Sequence, residues 1–246
     1  MARKFKVKKK FNLLDKIILA VLRLVLKRPE FINLNEVKEY PKRCILIGNH
    51  RSAKGPFTYR TFMEGVFMVG SAHQACENFR SRWNYLYHVF YRKKCNNPAP
   101  IAFIRATILG IPLRRLYDVC GALPIYFDHR LTRTFKYCLQ VLEEDIPVAF
   151  FPENSDDGYF EIIKKFNGGF LTIAKLYYER HKEDVPIYTH HFGSNPDRII
   201  IGKPMYYSEL AKKHTDDEIV DMFREYMNSL SAVGKNEEAV GEQEAV

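Results

Sequence analysis

The sequence predicts an α/β domain with a mostly parallel sheet flanked by helices, and three observations carry that prediction. Short apolar runs recur at residues 44–48, 146–151, 185–190 and 198–201. Segments of helical length lie between or beside them, at residues 57–69, 101–117, 132–144, 166–178 and 215–230. The 246 residues leave room for one sizeable core. Strand-length runs that alternate with helical ones read as parallel units with helices on the sheet faces.

The charge is unevenly spread. Residues 1–43 hold thirteen Lys/Arg against four acids (Asp15, Glu30, Glu36 and Glu39), which accounts for the whole net charge of +9. A roughly neutral domain therefore carries a basic N-terminal arm. Residues 3–10 read Arg-Lys-Phe-Lys-Val-Lys-Lys-Lys, and residues 11–26 follow as an apolar stretch broken by Asp15, Lys16 and Arg23. That stretch is too short and too charged for a span of about 20 apolar residues. Its broken middle and the lack of a small-residue cleavage site argue against a signal peptide. The preferred reading for residues 1–28 is a basic amphipathic helix lying in a membrane interface. A helix packed on the domain is the second reading. A nucleic-acid-binding tail is the third, disfavoured because no nucleic-acid-binding fold accompanies the charge.

The elements follow in order. Residues 44–48 form a strand that stops at Gly48, and Pro56 is placed to open a helix. Between them lies a polar loop, Asn49-His50-Arg51-Ser52-Ala53-Lys54-Gly55, with a histidine near its head. An imidazole there faces a helix N-terminus, where N–H groups favour developing negative charge. A base beside an anion-stabilising helix end suits acyl transfer to a hydroxyl. The plain alternative is a turn histidine that only hydrogen-bonds backbone.

Residues 76–94 mix Phe79, Trp83, Tyr85, Leu86, Tyr87, Phe90 and Tyr91 with bases, as expected of ordinary helix packing, an acyl-chain channel or a membrane-facing surface. The helix at 101–117 is open to a break near Gly110-Ile111-Pro112. A turn leads into a short strand at 121–127. The strand at 146–151 ends in a second polar loop, Pro152-Glu153-Asn154-Ser155-Asp156-Asp157-Gly158. Ligands of such sheets sit at the carboxyl ends of strands, where both polar loops fall. Thr215 is a suitable N-cap for the last helix, and the acidic residues 233–246 read as a disordered tail after a domain spanning 29–232. The five cysteines are odd in number and scattered away from zinc spacing, which points to free thiols in a reducing compartment.

The order of motifs resembles the phospholipid/glycerol acyltransferase family, the lysophospholipid acyltransferases of glycerolipid synthesis. The matching stretches are Gly48-Asn49-His50, Gly121-Ala122-Leu123-Pro124-Ile125, Phe151-Pro152-Glu153, residues 166–174, Val185-Pro186-Ile187 and Ile201-Gly202-Lys203-Pro204. The resemblance implies an α/β acyltransferase fold and transfer of an acyl chain from acyl-CoA or acyl carrier protein to a lipid hydroxyl. It implies His50 as general base, with no metal, no covalent acyl-enzyme and no cofactor beyond that co-substrate. Membrane lipids are the implied partners, nucleic acid is not, and the implied location is peripheral or monotopic on the cytoplasmic face of a membrane.

Three departures shape the expected site. The family's aspartate five residues after the histidine is replaced by Gly55. Glu153 is the expected substitute, with Asp156, Asp157 and the weaker Glu64 as alternatives. Asp156 stands where the family carries an arginine after its Phe-Pro-Glu, and Phe127 where it carries one after its Leu-Pro-Ile-type motif. An acid facing a phosphate is unfavourable, so an altered acceptor, or a phosphate held by Arg51, Lys54 and Arg130, is expected. The expected substrate contacts are Asn49, Arg51, Ser52, Lys54, Arg130, Asn154 and Ser155, with His50 and Glu153 as the catalytic pair.

Overall fold

The computed structural model describes residues 11–36, 39–50, 55–63, 68–153, 162–194 and 197–243, with side chains undescribed at 194 and 234–243. In chain order its elements are α1 (Leu13–Val25), β1 (Glu30–Asn33), β2 (Ile45–Gly48), α2 (Gly55–Phe62), β3 (Met68–Ala72), α3 (His73–Cys76) and α4 (Phe79–Asn84). A π-helix (Tyr85–Lys94) follows, then α5 (Ala99–Gly110), α6 (Leu113–Val119), β4 (Ala122–Ile125), α7 (Leu131–Glu143) and β5 (Val148–Phe150). The chain continues through α8 (Gly169–His181), β6 (Ile187–Ser194), β7 (Asp197–Ile201), α9 (Tyr207–Leu210) and α10 (Asp216–Gln243).

Seven strands form one sheet in the order β1-β7-β6-β2-β5-β3-β4. Only the β6–β7 pair is antiparallel, so β6, β2, β5, β3 and β4 all point one way. The mostly parallel α/β prediction holds. Alternation along the strands builds the two faces. Ile45, Ile47, Val148 and Phe150 join α7, α8 and α10 in the larger core, whereas Leu46 and Ala149 face the other way, onto Tyr59 of α2 and Phe192.

Several elements depart from expectation. Residues 68–69, assigned to the end of a helix, begin β3, because α2 stops at Phe62. β1 escaped detection because it is a largely exposed edge strand without an apolar run. The break in the 101–117 segment is real, with Ile111 and Pro112 turning between α5 and α6. α10 runs on to Gln243, through the acidic stretch predicted to lack structure. All five cysteines are unbridged.

The N-terminal helix is built inside out. Its capping box at Asn12 and Asp15 fixes the first turn, and Asp15 is its one buried residue. Arg115 of α6 reaches that carboxylate at 2.8 Å. Leu13, Leu14, Ile17, Val21, Leu24 and Val25 are exposed. No helix among the described residues is long and apolar enough to cross a membrane.

Candidate active site

The pairing of β2 with β5 sets the site. Ile45 is level with Val148, Leu46 with Ala149 and Ile47 with Phe150. Three residues beyond the last pair, each chain reaches a polar residue: His50 on one and Glu153 on the other. The Glu153 carboxylate accepts a hydrogen bond from the His50 backbone N–H at 3.1 Å, and the same oxygen lies 3.8 Å from Nδ1 of the ring. Glu153 is buried, whereas 24% of the His50 side chain remains accessible. A bridge from Glu153 to Phe166, and a hydrogen bond from the Asn167 N–H to the Pro152 carbonyl, fix the chain on the β5 side.

Asn49 holds the other side. Its Oδ1 accepts from the Phe192 N–H at 2.6 Å and its Nδ2 donates to the Phe192 carbonyl at 3.1 Å. Its amide thereby bonds the β6 backbone and fixes the point where the chain leaves β2. The Gly55 N–H donates to the His50 carbonyl at 3.1 Å, which brings the start of α2 against the histidine. A Cβ at residue 55 would sit 2.6 Å from that carbonyl oxygen, so this backbone has no room for an aspartate there without a shift. α2 is anchored in turn by Tyr59, whose hydroxyl meets Nδ1 of His190 on β6. The Tyr40 hydroxyl meets Nε2 of the same ring at 3.0 Å. Burial pushes the His190 imidazole down to about 3, so the ring is neutral between two phenols.

The ring of His50 packs 5.4 Å from that of Phe151, which lies against Tyr59 and Phe192. Burial first, and then the positive charge of Lys94 at the end of the π-helix, push His50 down to about 4. The Glu153 carboxylate acts in the opposite sense, and the net direction is downward because burial dominates. His50 is therefore neutral at physiological pH, the form that accepts a proton. Nothing in the sequence ties Lys94 to the distant histidine.

Arg130 forms a separate cluster beyond β4. Its guanidinium bonds Asp128 at 2.7 Å, Glu77 at 3.3 Å and Nε2 of His73 at 2.9 Å, and it lies over the Tyr126 ring. With two carboxylates already on it, its charge is largely neutralised within the cluster. Arg51, Ser52, Lys54, Glu64, Asn154, Ser155, Asp156 and Asp157 lie outside the described residues. Compared with known proteins, the chain matches no family model and no curated protein.

Proposed function

We propose that the chain is an O-acyltransferase working at a membrane surface, moving a fatty acyl chain from acyl-CoA or acyl carrier protein to the hydroxyl of a lysophospholipid-like acceptor. The observation that carries this reading is the pairing of His50 with the buried Glu153 at adjacent strand ends. A neutral imidazole takes the acceptor's hydroxyl proton as its oxygen attacks the thioester carbonyl. Glu153 steadies the imidazolium that forms. The tetrahedral oxyanion draws on the N-terminal end of α2 and the Lys94 charge. Its collapse breaks the C–S bond, and His50 returns the proton to the departing thiolate, leaving an ester and a free thiol. The outward apolar face of α1, with the basic residues before it, supports docking at the cytoplasmic face of a membrane, where an acceptor lipid resides.

The commitment of Arg130 to Asp128 and Glu77 supports an acceptor other than simple lysophosphatidate. A panel of acyl donors and lysolipids, offered to the purified protein, tests both points. Turnover is expected with an acyl thioester and a zwitterionic or amine-bearing lysolipid. Exclusive use of lysophosphatidate would overturn the altered acceptor, and no turnover with any pair would overturn the enzyme.

A second reading is a non-catalytic lipid- or acyl-carrier-binding relative. It is favoured by one observation: the Glu153 hydrogen bond goes to the His50 backbone, with the ring nitrogen 3.8 Å away. It predicts lysolipid or acyl-carrier binding without turnover, unchanged by His50→Ala.

A further inference from the structure

The helical insert between β3 and β4 carries a second inside-out helix. Along α5, Ala102, Ala106 and Gly110 are buried, four residues apart, so small side chains form the inward stripe. They let the helix settle onto Leu86 and Tyr91 of the π-helix, while Trp83 donates to the Thr107 hydroxyl at 3.0 Å. The opposite stripe is Ile101, Ile104, Ile108 and Ile111, exposed by 45%, 56%, 64% and 69%. A helix at a water interface carries the reverse arrangement.

The charges around this ridge decide what covers it. Residues 99–119 contain Arg105, Arg114 and Arg115 and one acid, Asp118, which pairs with Arg114 at 3.3 Å. Residues 13–28 of the neighbouring arm contain Lys16, Arg23, Lys27 and Arg28, and their one acid, Asp15, is buried against Arg115. That ion pair joins α1 to α6, which follows α5 after a two-residue turn. A second copy is a poorer occupant, because each copy would bring the same excess of bases to the shared face. An anionic bilayer suits both the isoleucines and the flanking bases.

We infer that the ridge of Ile101, Ile104 and Ile108 on α5, with Ile111 at its C-cap, is a second membrane-docking face, which seats the helical insert on anionic lipid beside α1. This extends the proposed membrane association to another part of the fold and does not depend on acyl transfer.

Partitioning of the full chain onto vesicles of phosphatidylcholine and phosphatidylglycerol in equal parts tests it. Ile104→Glu with Ile108→Glu is expected to weaken partitioning at least about ten-fold, since both apolar side chains leave lipid. Ile104→Leu with Ile108→Leu is expected to match the unsubstituted chain. A parallel pair on α1, Leu14→Glu with Val21→Glu, separates the two faces. Loss of binding in the α1 pair with none in the α5 glutamate pair would overturn the α5 face and leave the arm standing. No vesicle binding by the unsubstituted chain would overturn both. A lipid-free dimer that only the α5 glutamate pair abolishes would assign the ridge to a second copy and overturn the proposal. In an Ile104→Trp variant, quenching by brominated acyl chains is expected on vesicle binding, and a bound but unquenched protein would overturn it.

Discussion

The Glu153 carboxylate meets His50 twice through one oxygen, 3.1 Å from the backbone nitrogen and 3.8 Å from ring Nδ1. One contact fixes the loop and the other leaves the ring a short distance from a full hydrogen bond. In the proposed enzyme a small rotation of the imidazole would close that distance, a tightening common between free and substrate-bound sites.

Glu153→Gln removes the charge and keeps the shape. In a serine-protease triad the equivalent amide change lowers turnover about 10⁴-fold. The looser ring contact here predicts a smaller loss, roughly 10–100-fold in kcat, with KM little changed. The acid limb of the pH–rate profile should move lower, because the imidazolium loses its carboxylate. An unchanged limb would leave Glu153 with only its backbone role.

Introducing an aspartate at residue 55, as in the motif that the loop resembles, should fail. In Gly55→Asp the new Cβ strikes the His50 carbonyl oxygen at 2.6 Å, and backbone must shift to admit it. The expected outcome is a loss of about 1–3 kcal/mol in denaturant unfolding, as for other overpacked sites, with no gain in acyl transfer.

Acid should destabilise the fold through His190. Its folded value of about 3 lies below the ordinary 6.5, so the unfolded chain binds the proton first. Stability is complete above pH 6.5 and falls as pH drops toward 3. At pH 5 this one group costs about 2 kcal/mol. Replacing His190 with Gln should remove roughly half of the pH dependence of the unfolding free energy between pH 6.5 and 5, because His50, held at about 4, contributes over the same range.

The tether of α1 is equally open to test. Arg115→Met leaves Asp15 buried without that guanidinium. A wholly buried pair loses ~3–5 kcal/mol when broken; about 2 kcal/mol is expected here, because Arg115 is one-third exposed. Proteolysis between α1 and β1 should quicken in this variant, whereas Asp15→Asn with Arg115→Met should recover part of the loss.

Much of the sheet was legible because buried parallel strands read as continuous apolar runs, as in residues 45–48 and 148–150. β3 was not, because Gly70, Ser71 and Ala72 give it neither bulk nor alternation. His50 and Glu153 could be named from loop position. Their closeness follows from a strand register that no local pattern encodes. The contacts of Asn49 to Phe192 were not legible, since they span 143 residues. Asp15 read as a blemish in an apolar helix, yet it is the group that turns that helix inside out. Its partner lies 100 residues away, where periodicity carries no signal.

The central claim is that His50 is the base of an acyl transfer. The most direct measurement is single-turnover transfer from a radiolabelled acyl thioester to the best lysolipid acceptor, comparing the unsubstituted chain with His50→Ala. The account predicts ester formation by the former and a loss of at least about 10²-fold in the latter, the usual span of general-base catalysis, with lipid binding unchanged. Equal transfer rates in the two proteins would contradict it.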